Sequence, residues 1–245
     1  PTIWSRWGLA QAINLGDAML AWSAIAIAQT PSEDTLRCDL TGMLHFTLAA
    51  VAAGQSGDAS LQAGGSPTPE AWFDVAEAKT GALFGLCLAA PATLAGAPED
   101  VHRALLGAAR HLGIIFQIQD DLMDLFDSKG PGAPSGDLRE GKMSLPVIHA
   151  LRLARPSERD RLMALLGTPR DECSDSSIRW ATKLIQEVGA VDACLQEVLR
   201  RRRDLSQASI LDEHPSIAEL VRDLGEVFSE SLRPILLGAG LDSNA

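Results

Sequence analysis

Apolar residues recur along this chain at helical spacing almost without interruption, and no stretch shows the apolar–polar alternation of a half-buried strand. Such a pattern restricts the chain to helices packed on helices. The breaks lie at Pro and Gly. The periodicity predicts a first helix over about 4–29, stopped by Pro31-Ser32, and a second over about 32–54 with Asp34 in its first turn. Thr68 is placed to cap a helix with Pro69 at its first position, running to about Cys87 or beyond. Pro98-Glu99-Asp100 open the next, through Leu125. Shorter helices are predicted over about 142–154, 157–166, 176–188, 192–206 and 216–237. Residues 64–69 read as a loop, 130–136 as the most flexible segment by composition, and 238–245 as a frayed tail. No fixed-period repeat and no linker divides the chain. The expectation is an all-α fold with a single domain over residues 1–245.

Charge and composition exclude several roles. Lys and Arg number 21 against 32 Asp and Glu, a balance of −11 that repels nucleic acid phosphates. The one basic run, Arg200-Arg201-Arg202-Arg203, reads as a solvated helix face whose stems cover apolar neighbours. No apolar run reaches the ~18 residues a membrane span needs. The longest candidate, 18–28, reads as a buried helix segment, so no stable membrane insertion is expected. The cysteines (Cys38, Cys87, Cys173 and Cys194) lack metal-ligand spacing and read as reduced, mostly buried thiols of a cytoplasmic protein.

Chemistry concentrates in Phe116-Gln117-Ile118-Gln119-Asp120-Asp121-Leu122-Met123-Asp124. At about 100° per residue, Gln117, Asp120, Asp121 and Asp124 share one narrow sector, with Gly113 on the same side. Apolar side chains cover most of the rest, with Gln119 the exception. Carboxylates at i, i+1 and i+4 repel one another, and burial raises that cost. No Lys or Arg lies near them on this helix, so a cation from outside is the economical counter-charge. Carboxylate-only clusters favour hard cations, and Mg²⁺ takes one or two carboxylates together with substrate phosphates. The bland reading, a solvent-facing acidic stripe, fits poorly with so much apolar surface. A bare Gly113 lets a neighbouring helix or a ligand approach.

The segment 116–124 resembles the second aspartate-rich motif of the trans-isoprenyl diphosphate synthases. Gly136-Asp137-Leu138-Arg139-Glu140-Gly141-Lys142 is similar to the family segment that follows it, and Lys79-Thr80-Gly81 to the family's Lys-Thr pair. Gly54-Gln55-Ser56-Gly57-Asp58 resembles its Gly-Gln-x-x-Asp motif. Ala12-Ile13-Asn14-Leu15-Gly16-Asp17 is similar to the segment after its first aspartate-rich motif. Several motifs in order are more specific than any one.

The resemblance implies a helical bundle of the isoprenoid synthase type, acting as a homodimer. The implied reaction condenses an allylic isoprenyl diphosphate with isopentenyl diphosphate after magnesium-assisted ionisation. It implies Asp120 as principal magnesium ligand, with Asp121 and Asp124 in support. Lys79 and Lys142 would hold the leaving diphosphate, Lys129 would add a charge, and Thr80 and Gln117 would sit by the reacting carbon and leaving oxygen. Asp17 and Asp58 are read as structural.

Two departures matter. The Gly-Lys expected before the Gly-Asp segment is Gly132-Ala133 here, and the first aspartate-rich motif is absent. The chain opens at Pro1 rather than Met and reads as lacking the family's early helices. Two alternatives follow: a non-catalytic partner subunit, and a class I terpene cyclase. Against the latter, no Asn/Ser/Glu metal triad is evident, Ser229-Glu230-Ser231 being too short.

Overall fold

A computed structural model describes residues 1–63, 67–126, 135–206 and 213–241. Within them the chain is helical, with no strand. It opens with α1 (Ile3–Trp7) and α2 (Leu9–Ala28), where a single helix was expected. The separator is Gly8, at φ +84°, a conformation cheap only for glycine. Next, α3 (Asp34–Gln62) runs straight through Gly54, the expected stop.

Thr68 caps α4 (Pro69–Ala76) as expected, accepting from the Ala71 N–H. This helix then widens into a π turn (Glu77–Gly81) before continuing as α5 (Ala82–Leu94). The long α6 (Glu99–Phe126) follows. A short α7 (Gly136–Arg139), not foreseen, precedes α8 (Leu145–Leu153), which starts later than its apolar pattern suggested. Close to expectation come α9 (Pro156–Leu166), α10 (Asp175–Glu187) and α11 (Ala190–Ser206). The last predicted helix is divided into α12 (Pro215–Glu230) and α13 (Arg233–Gly238).

The core forms around α6. Leu112, Ile114, Ile115, Ile118 and Leu122 are each at most 1% exposed. They pack in one apolar cluster with Leu145 and Ile148 of α8, Ile185 of α10, Leu195 and Val198 of α11 and Val221 of α12. Each such burial stabilises the fold by about 1.5–3 kcal/mol relative to exposure. The acidic end of α6 is therefore carried on a helix buried along much of its length.

Two burial expectations are corrected. Residues 18–28 are not a buried segment: α2 has no buried residue, and Met19, Trp22 and Ile25 are at least half exposed. Its contacts with the rest of the described chain are mainly to α1 and α3, which leave much of this mostly apolar helix uncovered. The thiols are free but evenly divided, Cys173 and Cys194 buried, Cys38 and Cys87 exposed. No helix among the described residues is long and apolar enough to cross a membrane. In the basic run, Arg200 and Arg201 both pair with Glu197, and the Arg201 guanidinium lies over the Phe73 ring.

Candidate active site

The last turns of α6 do not present their three acids alike. Adjacent residues on a helix point about 100° apart, and here that angle crosses the protein surface. Asp120 is exposed, Asp121 is buried and Asp124 is half-buried. Asp121 is fully engaged. Its Oδ2 accepts the Leu145 N–H at 3.0 Å, and its Oδ1 accepts from Lys142 Nζ at 3.3 Å and Gln117 Nε2 at 3.2 Å. The counter-charge missing from α6 thus comes from Lys142, between α7 and α8, and the expectation of a counter-charge from outside the chain is corrected for Asp121. Its engagement also explains the late start of α8. The Leu145 N–H, free at a helix start, is satisfied by a carboxylate rather than by the preceding turn.

Lys142 reaches further, to Asp137 Oδ2 at 2.6 Å. The loop that brings it there is tied to α6 through two of its backbone N–H groups. The Asp137 N–H donates to Asp124 Oδ2 at 2.9 Å, and the Ser135 N–H to the Asp124 carbonyl at 3.0 Å. Ser135 adopts φ +66°, uncommon for a residue with a side chain, and Gly141 at φ +68° lies where a Cβ would be 2.3 Å from the Leu166 carbonyl oxygen. These turns set the direction of Lys142.

Burial pushes the Asp121 carboxyl above its usual range, opposed by Lys142, the Leu145 N–H and Gln117. It also pushes Asp137 up to about 6, again opposed by Lys142. Burial works to lower the Lys142 ammonium, but attraction from Asp121 and Asp137 outweighs it and holds the group above its ordinary value. The cluster therefore carries a firmly charged lysine between two acids that resist ionisation.

A second wall comes from the π turn. Lys79 Nζ donates to Asp58 Oδ2 on α3 at 2.8 Å, and Thr80 Oγ1 donates to Gln117 Oε1 at 3.2 Å. Gln117 links the two walls, accepting from Thr80 and donating to Asp121. Thus Thr80, Gln117, Asp121, Lys142 and Asp137 form one chain of hydrogen bonds across segments remote in sequence. Beside it, Phe84, Phe116 and Phe228 meet with ring centroids 5.0–6.0 Å apart. Phe116, one of the apolar residues around the acidic sector of α6, is 40% exposed.

Sequence reasoning set Asp58 aside as structural and gave Asp137 no role; both are the lysines' partners. Their presence inside recurring motifs was the available signal. Asp17 lies exposed on α2, away from its expected burial. Lys129, like Gly132-Ala133, falls outside the described residues. Ser229 bonds its own helix backbone, and Ser231 receives the Gln119 amide, so neither belongs to a ligand triad.

Among the described residues no three His, Cys, Asp or Glu side chains gather as a ready metal cage. The donor set still fits one hard cation. Asp120 and Asp124 are one turn apart, and only one Asp124 oxygen is engaged by the Asp137 N–H. One or two carboxylates completed by water and phosphate is what Mg²⁺ accepts.

Comparison with known proteins defines the class. Residues 1–185 match the polyprenyl synthetase family, and the chain belongs to it. It is 32% identical over 188 residues to a short chain isoprenyl diphosphate synthase of Methanocaldococcus jannaschii, covering 76% of this chain and 56% of that protein. It is 33% identical over 191 residues to a geranylgeranyl diphosphate synthase of Mycobacterium tuberculosis, covering 77% and 54%. The chain therefore spans little more than half the length of these relatives. A polyprenyl synthase from Caulobacter crescentus, solved with calcium and isoprenyl diphosphate, superposes with a TM-score of 0.80 at 25% identity, over 92% of this chain and 67% of that one.

Proposed function

We propose that the protein condenses an allylic isoprenyl diphosphate with isopentenyl diphosphate, as the names of its relatives suggest. The observation that carries this reading is the bonded chain from Thr80 to Asp137. It brings the two lysine-bearing segments to the acidic end of α6.

Asp120 and Asp124 would hold Mg²⁺, which when bound neutralises the charge of a departing diphosphate. Enclosed on every side, Asp121 fixes Lys142, Gln117 and the start of α8 instead of ligating the metal. Lys79 and Lys142 would turn from Asp58 and Asp137 to the diphosphate oxygens. Lys129 is kept as an added charge on the strength of the resemblance alone. Thr80 and Gln117 would face the carbon from which the diphosphate leaves. The double bond of isopentenyl diphosphate would attack that carbon, and a proton would then be lost to the departing diphosphate or a polar group at the site. The exposed apolar surface of α2 supports a homodimer, and we place the protein in the cytoplasm as one isoprenoid-synthase unit.

The test is condensation of radiolabelled isopentenyl diphosphate with allylic primers of C5 to C20 by the full natural protein in Mg²⁺. A magnesium-dependent, chain-extended product is expected. No product from any primer refutes the proposal; cyclic hydrocarbon from a single allylic substrate selects the cyclase reading.

A further inference from the structure

We propose that Gly54 and Gly113 are positioning residues that grip the π turn and so aim Lys79 and Thr80. The inference rests on the reading of those two residues given above.

A π turn carries one residue more than the α-helix around it and is uncommon. Nothing in Glu77-Ala78-Lys79-Thr80-Gly81 demands it locally, since Ala, Lys and Glu are good α-helix formers. In an uninterrupted α-helix the same residues would point about 100° away for each residue of register, and the bonds to Asp58 and Gln117 would be lost.

The cause lies in the neighbouring helices. A Cβ on Gly54 of α3 would stand 2.6 Å from the Lys79 nitrogen and 2.9 Å from its Cα. A Cβ on Gly113 of α6 would stand 2.5 Å from the nitrogen and Cα of Gly81, and 3.1 Å from the Thr80 carbonyl carbon. The widened backbone fills the two notches these glycines leave. Backbone atoms cannot yield by a rotamer change, so an added methyl must displace the turn itself.

Other glycines at helix contacts differ. Gly85 and Gly225 face leucine methyls, and Gly57 faces a methyl of Val75 at 2.9 Å. Gly57 lies three residues from Gly54 on the same helix and is closely packed too, though against a side chain, and it does not touch the turn. It is a control for close packing on α3 without positioning.

The experiment compares Gly54→Ala, Gly113→Ala and Gly57→Ala in the full protein. Turnover, the affinity for inorganic pyrophosphate in Mg²⁺ by calorimetry, and the melting temperature are measured together. Gly54→Ala and Gly113→Ala are expected to melt cooperatively and to lose at least tenfold in kcat and in pyrophosphate affinity. Gly57→Ala is expected to fall in melting temperature but to stay within twofold of the unaltered protein in both. The double variant Gly54→Ala/Lys79→Ala should lose clearly less than the product of the two single losses, because the glycine acts in part through the lysine.

Losses that multiply in the double variant, or an equal loss in Gly57→Ala, overturn the inference. So does near-normal function in Gly54→Ala and Gly113→Ala. If the alanine variants do not melt cooperatively, deletion of Ala78 replaces them. It returns the turn to α-helical register and should cause the same loss; normal pyrophosphate affinity in that deletion also overturns the inference. An unaltered protein without condensation activity counts against the proposed reaction and leaves the pyrophosphate comparison to decide the grip. An active one with active alanine variants counts against the grip alone.

Discussion

Replacing Lys142 with Met isolates the electrostatics of the site from any bound cation. The lysine side chain is 17% exposed and Asp121 fully covered, so the pair sits where water screens weakly. Methionine keeps most of the aliphatic stem and removes the charge. Asp121 then retains only the Leu145 N–H and the Gln117 amide. Removing one partner of a buried pair typically costs about 3–5 kcal/mol. For a chain of this length that corresponds to a fall of about 6–20 °C in melting temperature, at about 2–4 °C per kcal/mol. The loss should appear in EDTA, read by far-UV circular dichroism on heating or in urea, because the explanation involves no metal.

Two further signatures follow. Asp121→Asn in the Lys142→Met background should restore part of the stability, since the amide oxygen still accepts the Leu145 N–H without a stranded charge. The deficit of Lys142→Met should also shrink with acid. Burial already raises the Asp121 carboxyl, and without the lysine it rises further. The folded state then binds a proton more readily than the unfolded one, so stability increases as pH falls through the folded value. A loss below about 1 kcal/mol, that of a solvated surface pair, together with no pH dependence, refutes the account.

Asp120→Asn should leave the melt within about 0.5 kcal/mol of the unaltered protein, because the side chain is exposed, while weakening Mg²⁺-dependent pyrophosphate binding at least tenfold; equal binding by calorimetry removes Asp120 from the metal set. Burial holds the His111 imidazole below its ordinary value of 6.5, helped by Arg201 and countered by Asp204. The unfolded chain therefore takes up more protons below about pH 6.5, and stability is lost as pH falls from 7.5 to 5.5. His111→Gln should flatten that part of the pH–stability curve, and an unchanged slope in urea titrations contradicts it. Trp22→Glu with Ile25→Glu should shift the protein from dimer to monomer in light scattering, whereas a monomeric unaltered protein removes α2 as a contact between copies.

The all-α architecture was legible because helical spacing persists through nearly every segment, and α6 because its polar sector is so narrow. Tertiary contacts set what was missed. Gly54 looked like a stop, yet it is an interior notch for another backbone. The π turn leaves the composition of 69–94 helical and changes only register, which an apolar pattern tolerates. Asp120, Asp121 and Asp124 looked equivalent on a wheel, because a wheel does not show where the surface passes between neighbouring residues. Lys142 could be placed from the family resemblance, but its carboxylate partners could not, since the pairing depends on the turns at Ser135 and Gly141. The exposure of α2 was illegible for a related reason: hydrophobicity shows what a segment would cover, not whether a cover is at hand.

Both lysines assigned to the diphosphate are already satisfied. Each holds a carboxylate that a phosphate oxygen would have to displace, so the proposed capture would be an exchange of one anion for another rather than the filling of a vacant positive hole. Lys79 and Lys142 are thereby held in place before any ligand arrives, and on the proposed reading a stray monovalent anion would gain little by competing. A ligand bringing several negative oxygens and its own magnesium would be the kind able to release Asp58 and Asp137. If the protein takes a metal-bound diphosphate as proposed, its selectivity over simpler anions would be set by how firmly Asp58 and Asp137 hold on.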